Sequence, residues 1–136
     1  MPVNAFGIDL GTSNIKIFNG MTDTIASRKN MIAVQKMQNH KTVMAYGDEA
    51  FEMFEKAPAN ITVSQPVTNG VIAEIQHSQL LLHRFIMDEE EGYLRSADFF
   101  LSVPTDITEV EKRAFFDLVK DSNVKARNIF VVEKAI

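Results

Sequence analysis

Apolar positions change their period part-way along the chain. Up to about residue 45 they alternate or gather in short runs, and from Glu74 onward long stretches repeat at helical spacing. Phe6-Gly7-Ile8-Asp9-Leu10 is compatible with a strand. Gly11-Thr12-Ser13-Asn14 supplies turn chemistry, and Ile15-Lys16-Ile17-Phe18 alternates before Asn19-Gly20, so the start predicts strand, tight turn, strand. Thr22 to Ser27 and then Met31-Ile32-Ala33-Val34 continue the β pattern, with Arg28-Lys29-Asn30 as a polar break, and strands in such close succession pair antiparallel. Asn39-His40-Lys41 separates Val34 to Met37 from Thr42-Val43-Met44-Ala45 as a further hairpin. Asp48 opens a short helix with Ala50, Phe51 and Phe54 on one face, which Pro58 closes. Ala59 to Val71, with two prolines and Asn69-Gly70, reads as a connection carrying at most a short strand around Ile61.

The second half is α/β. Ile75, Leu81, Leu82, Phe85 and Ile86 make a helical stripe between Glu74 and Met87. After the acidic, turn-like stretch Asp88 to Ser96, Phe99-Phe100-Leu101-Ser102-Val103 is a continuous apolar run that stops at Pro104, as a strand buried on both faces would. Thr108 and Glu111 have the spacing of a reciprocal helix cap, and Val110, Ala114, Leu118 and Val119 set the expected buried face of the helix that follows. Asp121-Ser122-Asn123 ends it, and Asn128 to Val132 is another buried-strand candidate. The last two strands, separated by a helix, should be parallel. Glu133-Lys134-Ala135-Ile136 offers neither a cap nor a polar tail, so a fragment of a longer protein is expected.

Composition narrows the function classes. With 136 residues, 46% apolar and 24% charged, one folded domain is expected. Fourteen Lys and Arg against eighteen Asp and Glu leave a net charge of −4, and no nucleic-acid partner is expected. Lys112, Arg113, Lys120 and Lys125 are interleaved with acids and read as a solvated helix face. The absence of cysteine removes disulfides, thiolate zinc and a catalytic thiol, and agrees with a cytoplasmic setting. His77 and His83 are six apart, not the three or four that would put them on one helix face, so no metal site is expected from the histidines.

The stretch Gly7 to Asn14 carries the candidate chemistry. Gly11 permits close backbone approach, the N–H groups of Thr12, Ser13 and Asn14 can turn toward phosphate oxygens, and Asp9 can hold magnesium through water. Lys16 could add a point charge. The pattern is not a Walker A loop, which needs a Gly-Lys-Ser/Thr ending and a helix after it. An ordinary hairpin whose Asp and Thr bond their own backbone fits the same spacing.

The same residues resemble the first phosphate loop of the actin, sugar-kinase and heat-shock-chaperone ATPase superfamily. Ala45-Tyr46-Gly47-Asp48-Glu49-Ala50, Pro58-Ala59-Asn60-Ile61, Pro66-Val67-Thr68-Asn69-Gly70-Val71-Ile72-Ala73 and Val103 to Ala114 are together similar to the MreB family of bacterial actins. The likeness runs from about Phe6 to the last residue. It implies an actin-like, RNase H-like α/β half-lobe: residues 1–30 and 73–136 form the first part of the nucleotide-binding core, and 31–72 form an inserted small α+β subdomain that helps subunits stack. Members of that family are more than twice this length, which implies that the second phosphate loop, the adenosine pocket and the opposing lobe lie outside this chain.

The resemblance further implies binding of ATP with magnesium, Gly11, Thr12, Ser13 and Asn14 cradling the phosphates and Asp9 facing the metal; Lys16 departs from the apolar residue usual in MreB and is similar to actin, plasmid-segregating actins and sugar kinases, where a lysine reaches the phosphates. It implies self-assembly into filaments, peripheral attachment to the inner face of the cell membrane, cell-shape membrane partners such as RodZ, and organisation of wall synthesis that sets rod shape. A small apolar loop would touch lipid through Tyr93 and Leu94. Where the family has Glu-Glu-Pro after the last strand, this chain has Glu133-Lys134-Ala135. Lys134 stands at the position of the glutamate that positions the attacking water, and a lysine orients water poorly unless Glu133 takes over, so hydrolysis is expected to be weaker than binding. The rivals within the superfamily are a sugar-kinase-like phosphotransferase and a chaperone-type ATPase.

Overall fold

The computed structural model describes residues 4–54, 56, 58–68 and 71–134. β1 (Ala5–Leu10), β2 (Asn14–Asn19) and β3 (Thr24–Lys29) form the expected antiparallel meander. The chain then leaves to build a second sheet before returning. In that sheet β4 (Ile32–Met37) lies between β5 (His40–Tyr46) and β6 (Ile61–Ser64), and the short helix α1 (Asp48–Met53) packs on it. A two-residue ribbon, β7 (Val67–Thr68) with β8 (Val71–Ile72), leads into α2 (Ile75–Glu89). β9 (Ala97–Val103) joins β1 in parallel, α3 (Glu109–Asp121) crosses over, and β10 (Ala126–Glu133) joins β9 in parallel. The main sheet therefore has the order β10-β9-β1-β2-β3. Parallel neighbours need a long crossover, which α3 supplies between β9 and β10.

Both long helices cover one face of this sheet. Phe6, Ile8, Ile15, Ile17, Phe99, Leu101 and Val103 meet Leu81, Leu82, Phe85, Ile86, Phe115, Leu118 and Val119 in a single core, with Phe6 stacked on Phe99 at 5.5 Å between centroids. The opposite face is open. Phe18, Phe100, Phe130 and Val132 alternate with the buried residues of their strands and are exposed, so the runs Phe99–Val103 and Asn128–Val132 are buried on one side and not, as expected, on both.

Two helix faces also differ from the periodicity. Val110 is 80% exposed and Phe115 takes the buried place expected for it, while Ile75 on α2 is exposed as well. Both lie in the first turn of their helices and face the open groove between α2 and α3, which no side chain fills. α3 starts at the expected place but with half of the reciprocal cap: Thr108 Oγ1 accepts from the Glu111 N–H at 3.1 Å, while the Glu111 carboxylate accepts at 3.0 Å from the Thr108 hydroxyl and not from its backbone N–H. The β4–β5 hairpin turns at Gln38-Asn39, one residue early, with Gln38 in the left-handed region at φ 50°. On α1 only Ala50 is buried; Phe51 lies under the Lys29 ammonium at 4.8 Å and Phe54 is exposed.

Candidate functional site

The turn between β1 and β2 is built by close packing of backbone. Gly11 N–H donates to the Asn14 carbonyl at 2.9 Å, and a Cβ at Gly11 would stand only 2.8 Å from that same oxygen. No side chain fits there without opening the turn, so the glycine is required by space. The turn is also braced from beneath. Asn30, fully buried, donates from Nδ2 to the Gly11 carbonyl at 2.7 Å and from its backbone N–H to the Ser13 carbonyl at 2.9 Å. With Gly11 and Ser13 carbonyls drawn inward, the N–H groups of Thr12 and Ser13 form no hydrogen bond among the described residues. Unpaired amides in a tight turn are the donors that an anion can use. The Asn14 side chain does not join them; its amide reaches Ser27 Oγ at 3.3 Å.

Strand alternation places the charged candidates on the open face beside this turn. Asp9 and Lys16 are paired in register across β1 and β2, and with Ser102 they line a shallow cavity of ≈ 220 Å³. Lys134 closes on Asp9 from the far end of β10: its Nζ lies 2.6 Å from Asp9 Oδ1. That oxygen is hidden from solvent and no donor meets it within hydrogen-bond angles, so the contact is an ion pair held by charge. Glu133, one residue earlier, points to the other face and is gripped by Lys112 Nζ of α3 at 2.6 Å. Lys112 holds its proton more firmly than an ordinary lysine, first because of that hydrogen bond. The structure thus brings Lys134 to Asp9 and takes Glu133 away.

The remaining candidates lie elsewhere. Tyr93 is exposed on the α2–β9 connection, whereas Leu94 is half-buried and packs against the main core. His83 Nδ1 lies 3.0 Å from the carbonyls of both Ser122 and Asn123, at the end of α3, and His77 lies 2.9 Å from Glu74. A larger cavity of ≈ 590 Å³, lined by Ile75, Val110 and Arg113 among others, sits between the two long helices on the covered side, remote from Asp9. Among the described residues no three His, Asp or Glu side chains gather as a metal shell.

The sequence profile of the family described as MreB/Mbl protein matches residues 3–136. The chain belongs to the MreB/Mbl family. Cell shape-determining protein Mbl of Bacillus subtilis is 32% identical over 120 residues, covering 88% of this chain and 35% of that protein. Cell shape-determining protein MreB of Escherichia coli K12 is 29% identical over 135 residues, covering 96% and 38%. The chain therefore spans little more than a third of these MreB/Mbl relatives. Among solved structures, MreB 5 of Spiroplasma citri bound to AMPPNP superposes with a TM-score of 0.81 at 24% identity, over 95% of this chain and 38% of that one. The MamK double helical filament gives 0.70 at 20% identity, over 93% and 40%. These two likenesses establish the actin-like fold, and the expected half-lobe architecture is the one observed.

Asn30 is the residue of this MreB/Mbl turn that sequence reasoning missed. It stood in a polar break before the run Met31–Val34, and only its abrupt adjacency to buried residues hinted that its amide was turned inward.

Proposed function

We propose that this chain supplies the first phosphate-binding half-site of an actin-like filament protein, one that binds ATP and assembles into membrane-associated filaments that organise wall synthesis. The observation that carries the reading is the braced turn, with the Thr12 and Ser13 amides unpaired beside Lys16. The AMPPNP held by MreB 5 of Spiroplasma citri and the filament of MamK support the nucleotide and the assembly respectively. Residues 31–72 would be the outer subdomain, offering exposed Phe51 and Phe54 to a neighbouring subunit. Tyr93, not Leu94, would be the lipid-facing residue of its loop, and a single aromatic anchors only when many copies act together. Phosphate release would be slow, because Glu133 is held by Lys112 and a lysine takes the position beside Asp9.

ATP-dependent pelleting of the complete gene product, with phosphate release measured in the same tube, tests the reading. Pelleting should require ATP and be lost in Gly11→Val, whose branched side chain cannot fit against the Asn14 carbonyl. Pelleting indifferent to ATP, or transfer of phosphate to a small-molecule acceptor, would defeat it.

A further inference from the structure

Magnesium is the cation that the fold family implies beside Asp9, and the residues present do not suit it in this arrangement. The only ion pair that Asp9 makes among the described residues is with Lys134, at 2.6 Å, through the oxygen that lacks any hydrogen-bond donor. The lysine is held there by more than its own flexible stem. Its backbone N–H donates to the Val103 carbonyl at 2.8 Å, which extends the β9–β10 ladder by one residue. Glu133 is tied to Lys112 on the opposite face, which keeps the stem of Lys134 on the side of the sheet that carries Asp9. A divalent cation arriving at Asp9 would meet an ammonium already in contact with the carboxylate, and the two repel. Across β1 and β2, Lys16 adds another positive group to the same face.

We propose that Lys134 takes the place of the divalent cation, so that the nucleotide phosphates at this turn are neutralised by Lys134 and Lys16 and bind without magnesium. The proposal rests on the nucleotide reading above and goes beyond it by naming the form of the ligand: the free polyphosphate anion, not its magnesium complex. A lysine is suited to this role because its ammonium is a compact point charge with three donors on a movable stem, able to pass from Asp9 to a phosphate oxygen as the anion arrives. Asp9 then acts as the resting partner of Lys134.

Calorimetric titration of ATP into the complete gene product, once with magnesium and once with excess EDTA, reads this directly. The unaltered protein should change its affinity by less than about threefold between the two buffers, while Lys134→Ala should lose about tenfold or more in EDTA and recover with magnesium. Lys134→Arg, which keeps the charge, should remain indifferent to chelation and reports that any loss in the alanine variant follows from charge, not from misfolding. Binding by the unaltered protein that collapses in EDTA would overturn the proposal and leave the nucleotide reading intact. No binding in either buffer would overturn both.

Discussion

The two faces of the five-stranded sheet are made by the same strands and could hardly differ more. On one, Phe6, Ile8, Ile15, Ile17, Phe99 and Leu101 are all essentially inaccessible beneath α2 and α3. On the other, one residue along in each strand, Phe18, Phe100, Phe130 and Val132 remain between 41% and 47% exposed, and Asp9, Lys16, Ser102 and Lys134 gather near one end. The covered face is where the sheet obtains its stability, and the open face is where it carries its charged candidates. An aromatic residue is therefore no guide to energetic weight in this fold; its parity along the strand is.

That contrast is most easily broken at adjacent phenylalanines. Phe99→Ala should cost about 3–5 kcal/mol by emptying a packed position under the helices. Phe100→Ala should cost only about 1 kcal/mol, mostly its stacking on Phe130, whose ring centroid is 5.0 Å away. Urea denaturation of both variants measures the difference, and equal losses would mean that the open face is as tightly packed as the covered one.

A smaller effect tests whether buried polar groups hold the turn as apolar ones hold the core. Asn30→Ala should destabilise by about 1–3 kcal/mol, because the Gly11 carbonyl loses its donor. Proton exchange at the Thr12 and Ser13 amides should quicken in the same variant.

The least effect is expected on the open face at Asp98, paired by strand alternation with Phe100. Arg127 donates to its carboxylate at 3.1 Å and Asn128 at 3.0 Å, and these hold its pKa below the usual carboxylate range, Arg127 contributing most. A depressed folded-state value contributes stability above the unfolded-state pKa, which is lost as pH falls through the folded one. Thermal melts on acidification should therefore fall slightly more steeply for the unaltered chain than for Asp98→Asn.

Much of this was legible before any coordinates. The meander, the two crossover helices and the parallel pair follow from period, turn residues and the Thr108–Glu111 cap. What sequence could not supply was sidedness. Phe100 and Phe130 are as apolar as their buried neighbours, and only three-dimensional placement of both helices on one face leaves them exposed. Val110 misled for a related reason, since periodicity counts residues around a helix but not which of them face an open groove. At the site, Gly11, Asp9 and Lys16 were readable because local turn chemistry names them. Asn30, and the parting of Glu133 from Lys134, depend on contacts across 19 and 21 or more residues, which no local pattern encodes.

Asn30 and Met31 are consecutive, yet one is pinned under the β1–β2 turn and the other is seated in the small core of the second sheet, where its carbonyl accepts from the Gly47 N–H at 2.8 Å. The two sheets are thus fastened at consecutive residues, and Ile32 and Val34 of the second sheet also pack into the main core. The outer sheet and the β1–β2 turn therefore share one fastening, the Asn30–Met31 pair.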